Sequence, residues 1–249
     1  MYYYIYDSFV LEKEYAKDLA AIENRLADFG ITGNIGRLSL FRDAAELVTD
    51  EVGRGAKTIV AVGNDATVRK VMDAVIANRV AFGLIPLGAP TTFAKLFGVP
   101  VGAGACDVLA RRRLLTIDVG RVNGRYFLSS VRIPEGNFTV ECDGRFAVHQ
   151  SRPGEIQIKN VGWINEKEGR EELGDPQDGF LEAVIDAPRA GWLSRARVRR
   201  STIPVRKITI ESAKQIGALV DEEKYAHERF EIAVLPRRLR VVTGRERMV

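Results

Sequence analysis

Short apolar runs alternate with segments whose apolar residues recur every three or four positions in the first half of the chain. The run 58–62 lies between turn residues, as in a strand that is buried on both faces, and 12–28 has helical spacing. This order predicts a parallel sheet with helices on both faces. The predicted strands are 2–6, 34–40, 58–62 and 81–85, and the predicted helices are 12–28, one opened by Asp43, one containing 68–76, 91–97 and 104–112.

The second half of the chain consists of short strand-like runs separated by turn signals. Asn123-Gly124 and Asp143-Gly144 each lie between two such runs and predict hairpins. Further strand-like runs are 155–161, 180–186, 191–199, 203–210 and 230–235, whereas the acidic stretch 166–177 predicts a loop. Many short strands joined by turns predict an antiparallel β-sandwich or barrel.

These patterns predict an α/β protein with two domains. Residues 1–115 form a Rossmann-like domain with a parallel sheet, and residues 116–249 form a β-sandwich domain. The last apolar segment, 239–243, is a candidate strand for a return to the first domain.

Composition limits the partners of this protein. The net charge of +4 and the pI of about 9.1 suit ATP, phosphorylated products or an anionic membrane surface, and are too weak to predict nucleic-acid binding. Two cysteines and two histidines predict neither a disulfide framework nor a zinc site. No apolar run approaches the roughly 20 residues that span a bilayer, and Met1–Tyr6 does not predict a signal peptide. We therefore expect a cytoplasmic protein whose membrane contact, if present, is peripheral.

Two loops directly follow buried strands, which is where parallel sheets bind ligands. Small residues in 63–67 let the backbone approach a phosphate, and the following helix offers free N–H groups. Asp65 is a candidate Mg²⁺ ligand, and Thr67 is a candidate hydrogen-bond donor to phosphate. The alternative is a turn in which Asp65 caps the helix. In the loop 86–94, Gly88 permits a tight turn and Thr91 or Thr92 can cap the next helix.

Together these loops resemble the motifs of the diacylglycerol kinase-like lipid kinases. That family carries GGDGT, then PLGTxNDFA and LGIP, and later a sandwich hairpin, DGxL and LDGE. The corresponding segments here are Gly63–Thr67, Pro86–Ala94, Phe97–Pro100, Ile117–Phe127, Asp178–Leu181 and Val220–Glu223. The resemblance runs in order over nearly the whole chain.

The resemblance implies an enzyme that binds ATP and Mg²⁺ between the two domains. It would transfer phosphate to a hydroxyl of diacylglycerol or a related lipid, largely by positioning and charge neutralisation. Asp65 would handle nucleotide and metal, and Asp221 would be the general base. The implied nucleotide-binding positions are Gly63, Asn64, Asp65, Ala66, Thr67, Gly88, Thr91 and Thr92. The alternative for Asp221 is a solvated acidic turn.

Departures from the family pattern leave two other functions open. Asn64 and Ala66 replace glycines, so a positive φ becomes costly at Ala66; Thr91-Thr92 replaces an Asn-Asp pair, and Glu222 replaces the glycine of LDGE. Loss of a catalytic carboxylate costs on the order of 10²–10⁴ in rate. One alternative is a catalytically inactive member that binds nucleotide or lipid. The other is an NAD kinase-like enzyme, although the PLGxxxxFA and DGxL elements favour the lipid branch.

Basic clusters are candidate contacts with anionic lipid, the alternative being solvated faces. They are Arg111–Arg113, the set Arg195, Arg197, Arg199 and Arg200, and the set Arg237, Arg238 and Arg240. The predicted partners are therefore ATP, a lipid acceptor and an anionic membrane surface. The sequence leaves open whether the protein is a monomer or a homodimer.

Overall fold

The computed structural model describes residues 1–39, 43–149, 154–165, 170–187 and 199–249. They form two compact units, Met1–Ile117 with Arg238–Val249, and Asp118–Arg237. The predicted α/β class, a parallel sheet in the first half followed by antiparallel strands, is confirmed.

The first unit is built on a parallel sheet whose strands lie in the order β4-β3-β1-β2. The strands are β1 (Tyr2–Tyr6), β2 (Asn34–Arg37), β3 (Thr58–Gly63) and β4 (Ala81–Pro86). The helices are α1 (Ala16–Asp28), α2 (Ala44–Gly53), α3 (Asp65–Asn78), α4 (Thr92–Leu96) and α5 (Gly104–Arg111). All six residues of β3 and of β4 are buried, as expected for strands covered on both faces.

Helix α1 begins later than the apolar period predicted. Two 3-10 helices, Ser8–Leu11 and Lys13–Tyr15, precede it, so the helical spacing seen from residue 12 is shared between 3-10 and α segments. The buried residues of α1 are Leu19, Ile22 and Leu26, which is the apolar stripe that its sequence predicted.

The second unit consists of antiparallel strands around one apolar core. The first six are β5 (Leu114–Val122), β6 (Arg125–Phe127), β7 (Ser130–Gly136), β8 (Thr139–Cys142), β9 (Phe146–His149) and β10 (Gly154–Lys159). The others are β11 (Gly162–Asn165), β12 (Arg170–Leu173), β13 (Leu181–Ala187), β14 (Arg199–Val205), β15 (Lys207–Val220) and β16 (Glu223–Val242). The start of β5 and the end of β16 belong to the first unit. The main sheet of the second unit has the order β14-β13-β10-β7-β15-β16, while β11 and β12 form a sheet of their own.

Both predicted Gly-containing hairpins are confirmed. Asn123 and Gly124 join β5 to β6 with φ of 45° and 89°, and Asp143 and Gly144 join β8 to β9 with φ of 51° and 63°. Positive φ at both central residues is what a type I′ hairpin turn requires. The predicted acidic loop is wrong in part, because 170–173 is strand β12, paired with β11 through backbone hydrogen bonds that need no apolar side chains.

Strand β16 is far longer than the run 230–235 that the sequence predicted. Near its end, Arg240 and Val241 pair in parallel with β4 in the first unit. Beyond the strand, the backbone N–H groups of Gly244 and Met248 donate to the carbonyls of Phe97 and Leu96 at 2.9 and 3.0 Å. These bonds fasten the chain after β16 to the end of α4.

Two of the three basic clusters contain arginines that the structure describes as exposed. Arg111–Arg113 and Arg240 are exposed. Arg195, Arg197 and most of the predicted strand 191–199 lie outside the described residues. In the part of the chain that the structure describes, no helix is both long and apolar enough to cross a membrane.

Candidate functional site

The two motif loops meet at the carboxyl edge of the parallel sheet in the first unit. The N–H of Leu87, after β4, donates to the carbonyl of Gly63, the last residue of β3, at 2.9 Å. The N–H of Asp7, after β1, donates to the carbonyl of Val62 at 3.2 Å. Three neighbouring strands therefore end side by side at the edge where parallel sheets bind ligands.

Helix α3 is capped by Asn64. Its Oδ1 accepts from the N–H groups of Ala66 and Thr67 at 3.0 and 3.3 Å, and Thr67 Oγ1 accepts from the N–H of Asn64 at 3.2 Å. This reciprocal pair is a capping box. The interpretation of Asp65 as the cap of this helix is wrong, because Asp65 already lies in its first turn.

Gly63 is the position of this loop that excludes a side chain. Its φ is 155°, and a Cβ built there would lie 2.2 Å from Thr67 Oγ1. The predicted strain at Ala66 is wrong, since Ala66 lies in helix α3 and is not among the residues with positive φ. Replacement of the family glycine by Ala66 therefore costs no left-handed conformation.

Asp65 joins the two loops. The residue is buried, at 5% exposed, and its carboxylate accepts from the N–H groups of Thr92 at 2.8 Å and Phe93 at 3.1 Å. Its own N–H donates to the carbonyl of Pro90 at 2.9 Å. The predicted capping of α4 by a threonine hydroxyl is wrong: Thr91 is the N-cap residue but makes no side-chain cap bond. The carboxylate of Asp65 is the stronger acceptor and takes that place.

Asp7 is a residue of this edge that the sequence analysis missed. Its Oδ2 accepts from Thr67 Oγ1 at 2.8 Å and from Lys70 Nζ at 2.9 Å, and its Oδ1 from the N–H of Ser8 at 2.8 Å. Burial acts to raise the pKa of Asp7, but hydrogen bonds from Lys70 and Thr67 outweigh it and hold that pKa below 3.8. An aspartate directly after a strand buried on both faces was the available signal.

The lowered pKa of Asp7 leads us to expect a specific loss of folding stability in acid. Because its pKa is lowered by folding, its contribution is present above the unfolded value of 3.8 and is lost as the pH falls through the folded value. We expect Asp7→Asn to cost about 1–3 kcal/mol at pH 7 and less near pH 3. Urea unfolding at both pH values measures this, with Asp18→Asn on the exposed face of α1 as the control. An equal cost at both pH values would contradict the assignment.

Asp221, in the second unit, is a buried anchor at the tip of the β15–β16 hairpin. The residue is 7% exposed, and its carboxylate accepts from the N–H groups of Leu128 at 2.8 Å, Ser129 at 2.8 Å and Ser130 at 3.1 Å. The alternative of a solvated acidic turn is therefore wrong. Glu222 next to it has a φ of 70°, a conformation that the family glycine adopts without strain.

The DGxL element is also held by carboxylates. Asp178 Oδ1 accepts from the N–H of Phe180 at 2.8 Å, and burial raises the pKa of Asp178. Asp118, which the sequence analysis missed, is fully buried and accepts from the N–H groups of Gly179 and Arg237, both at 2.7 Å. Buried aspartates that bind backbone N–H groups thus recur at the motifs of both units.

Mg²⁺ does not fit Asp65 as the structure holds it. Both carboxylate oxygens bind backbone N–H groups, and the side chain has almost no exposed surface for a hydrated ion. Among the described residues, no group of three or more histidine, cysteine, aspartate or glutamate side chains is placed to hold a metal.

A nucleotide phosphate fits the start of α3 only after Asn64 moves. The first four N–H groups of the helix are all taken, by Pro90 O, by Asn64 Oδ1 twice, and by Asn64 O. Rotation of the Asn64 side chain would release the N–H groups of Ala66 and Thr67, the kind of donors that bind phosphate at helix N-termini. The hydroxyl of Thr67 stays bound to Asp7.

Comparisons with known proteins agree with these motifs. Residues 3–122 match the model of the diacylglycerol kinase catalytic domain. A Pseudomonas aeruginosa protein named "Probable lipid kinase YegS-like" is 35% identical over 89 residues, which are 35% of this chain and 30% of that protein. A diacylglycerol kinase of Bacillus subtilis is 28% identical over 168 residues, 59% of this chain and 55% of that enzyme. The matches thus span about a third to a half of these relatives.

Structural similarity extends over both units. A diacylglycerol kinase from Bacillus anthracis superimposes with a TM-score of 0.79, covering 99% of this chain and 98% of that one at 16% identity. At such low identity the match shows the fold alone. Together with the domain match over residues 3–122 and the named relatives, the motifs support membership of the diacylglycerol kinase-like lipid kinase family.

Proposed function

We propose that this protein transfers a phosphoryl group from ATP to a hydroxyl of diacylglycerol or a related neutral lipid. The observation that supports this most is the joining of the two motif loops by Asp65 at the carboxyl edge of the sheet. A buried carboxylate that binds both loops holds Gly63 beside the start of α4. The backbone of Gly63 can approach a phosphate because it carries no side chain. Phosphoryl transfer depends mainly on such positioning.

In this proposal each residue of the edge has a defined task. Gly63 brings backbone close to the nucleotide, and Asn64 must turn away so that Ala66 and Thr67 can donate their N–H groups to phosphate oxygens. Asp65 and Asp7 act as positioning residues, since their carboxylates hold backbone and side chains of the loops. Asp221 is the proposed general base for the acceptor hydroxyl. ATP supplies the phosphoryl group when bound. If the reaction uses Mg²⁺, ligands other than Asp65 in its present position would hold the ion.

Asn64 therefore limits nucleotide affinity, and its replacement has a defined expected result. Asn64→Gly removes Oδ1 from two N–H groups and leaves them for phosphate, so we expect the Kd for ATP to fall by about tenfold, with some loss of stability because the cap is lost. Isothermal titration at fixed ionic strength measures the Kd. Asn78→Gly, at the other end of the same helix, is the matched control. An unchanged or higher Kd for ATP in Asn64→Gly would contradict the phosphate site.

A catalytically inactive family member is the second candidate. The specific observation in its favour is that the carboxylates of Asp65 and Asp221 both bind backbone N–H groups in the structure. Such a protein would bind nucleotide or lipid through the same scaffold without transfer.

Product analysis separates the two candidates. Folded protein is incubated with ATP, Mg²⁺, NAD and a neutral-lipid extract, and new lipid phosphomonoesters and phosphorylated NAD are sought by mass spectrometry. The kinase proposal predicts at least one new phosphomonoester, which also identifies the acceptor. ATP-dependent thermal stabilisation without any product would instead support the inactive member, and a phosphorylated NAD without phosphorylated lipid would overturn both.

A further inference from the structure

The short segment between β6 and β7 binds two buried polar residues, Asp221 and Asn160. Three N–H groups of the segment donate to the carboxylate of Asp221, those of Leu128, Ser129 and Ser130. Asn160 Nδ2 donates to the carbonyl of Leu128 at 2.9 Å, and the backbone N–H of Asn160 donates to the carbonyl of Ser129 at 2.9 Å. Asn160 directly follows β10 and is 1% exposed. Neither the motifs nor the proposed reaction gives this residue a role.

The contacts of Asn160 and Asp221 run through the same two peptide groups. The carbonyl of Leu128 and the N–H of Ser129 belong to one peptide group, and the carbonyl of Ser129 and the N–H of Ser130 belong to the next. Since both are trans, the carbonyl and the N–H of each point in opposite directions. Each group therefore accepts from Asn160 at its carbonyl and donates to Asp221 Oδ1 through its N–H, at 2.8 and 3.1 Å.

Hydrogen bonds in such a chain strengthen one another. A donor at a peptide carbonyl polarises the group and makes its N–H a better donor, by roughly 10–30% per bond. Asp221, Ser129 and Ser130 are 7%, 8% and 4% exposed, so water competes little for these bonds. Asn160 therefore acts on Asp221 Oδ1 through two peptide groups in parallel.

The remaining contacts of the Asn160 amide fix its orientation. Nδ2 also donates to the carbonyl of Asp118 at 3.0 Å, and the carboxylate of Asp118 binds the N–H of Gly179 in the DGxL element. An amide oxygen cannot donate, so the nitrogen must be the atom that faces the two carbonyls. Among the described residues, Asn160 Oδ1 has no hydrogen-bond partner. The donors of this side chain thus join the strand of Asp118 to the segment that holds Asp221.

We propose that Asn160 is a positioning residue for phosphoryl transfer, which holds and polarises the two peptide groups that fix Asp221 Oδ1. The inference rests on the proposed function, in which Asp221 is the base. Of the three N–H groups, Oδ2 accepts that of Leu128 alone. Oδ2 is then the oxygen that takes the proton of the acceptor hydroxyl, while the hydroxyl oxygen bonds to the γ-phosphorus of ATP and the bond to ADP breaks.

Asn160→Leu tests this role, with Gln157→Leu on β10 as the matched control. Each change replaces a buried amide with an apolar side chain of similar size. Gln157 is 4% exposed, and its Nε2 has no hydrogen-bond partner among the described residues. In Asn160→Leu the carbonyl of Leu128 keeps the N–H of Val161 at 3.1 Å, so we expect the segment to stay folded. Asn160→Ser, whose side chain is too short to reach both carbonyls, is the second variant if the first does not fold.

Hydrogen exchange of the protein without substrates measures the hold on the segment. We expect the amides of Ser129 and Ser130 to exchange at least about tenfold faster in Asn160→Leu than in Gln157→Leu, after correction for global stability. Equal exchange in the two variants would overturn the proposal, because the bonds from Asn160 would then not strengthen the N–H groups.

Titration of the Asp221 carboxyl carbon, followed by NMR, measures the polarisation without any need for activity. Weaker N–H bonds favour the charged carboxylate less, so we expect the midpoint to move to higher pH in Asn160→Leu. The ionisable neighbours on the same hairpin and on β7, Glu222, Glu223 and Arg132, are the same in every variant. A midpoint equal to that of the wild type would overturn the proposal.

Kinetics tests the catalytic part of the proposal. We expect kcat per folded molecule to fall about tenfold in Asn160→Leu, with a KM for ATP within about twofold of the wild type, and both to stay unchanged in Gln157→Leu. An unchanged kcat in Asn160→Leu would overturn the positioning role, even if exchange and titration change as expected. Absence of transfer by the wild type would overturn the proposed function, and the two NMR measurements would still decide whether Asn160 acts on Asp221.

Discussion

Asp221→Ala is expected to lose at least about 3 kcal/mol of folding free energy, the largest stability change that we predict. The substitution leaves three buried N–H groups, those of Leu128, Ser129 and Ser130, without the carboxylate that binds them. Each unsatisfied buried group costs about 1–3 kcal/mol, and a domain has only about 5–15 kcal/mol in total. Urea unfolding followed by circular dichroism measures the change.

Lys224→Ala is the control for this prediction, since Lys224 is exposed three residues further along the same hairpin. We expect that variant to stay within about 0.5 kcal/mol of the wild type. A cost below about 1 kcal/mol for Asp221→Ala would mean that the three hydrogen bonds are not made in solution.

The anchoring role also changes how a catalytic test of Asp221 must be designed. Asp221→Asn keeps one acceptor oxygen but loses the charge, so both folding and activity are expected to suffer. Activity therefore has to be normalised to the folded fraction at the assay temperature. If transfer per folded molecule falls by about 10²-fold or more, Asp221 is also the base; if it is unchanged, Asp221 acts only as an anchor.

Asp65→Ala is expected to separate the two motif loops and to cost about 2–4 kcal/mol, because it removes the acceptor of two N–H groups at the start of α4. Hydrogen exchange gives the direct measurement: the amides of Thr92 and Phe93 should exchange much faster in the variant. Protection of the amides at the centre of β3 should fall only as far as global stability does.

Asp65→Asn is the matched variant for this experiment. It retains one acceptor oxygen and should protect one of the two amides better than Asp65→Ala does. If both amides stay as protected in Asp65→Ala as in the wild type, the carboxylate does not hold α4, and the joining of the loops would need another cause.

Local sequence signals predicted much of the fold. The apolar runs predicted the bounds of β3 and β4, and the helical spacing predicted those of α1, to within a few residues. Asn123-Gly124 likewise encodes a turn that needs two positive φ angles. The acidic stretch that contains β12 was missed because its strand depends on pairing with β11, not on any apolar alternation of its own.

The roles of the site residues were harder to predict, because each depends on segments distant in the chain. Asp65 meets N–H groups 27 and 28 positions away, and Asp221 meets N–H groups 91 to 93 positions away. The family motifs mark these aspartates as candidate site residues but do not say which groups their oxygens bind. Ala66 shows the same limit, since a glycine in a motif need not mark a positive φ.

Phosphate transfer from labelled ATP and Mg²⁺ to neutral lipids in mixed micelles, with wild type and Asn64→Gly side by side, tests the central claim most directly. We expect labelled lipid with the wild type, and a KM for ATP about tenfold lower in the variant at similar kcat, because the released N–H groups bind phosphate in ground and transition states alike. No labelled lipid from either folded protein, with ATP binding still detectable, would contradict the kinase function. Transfer with an unchanged KM would contradict the part assigned to Asn64.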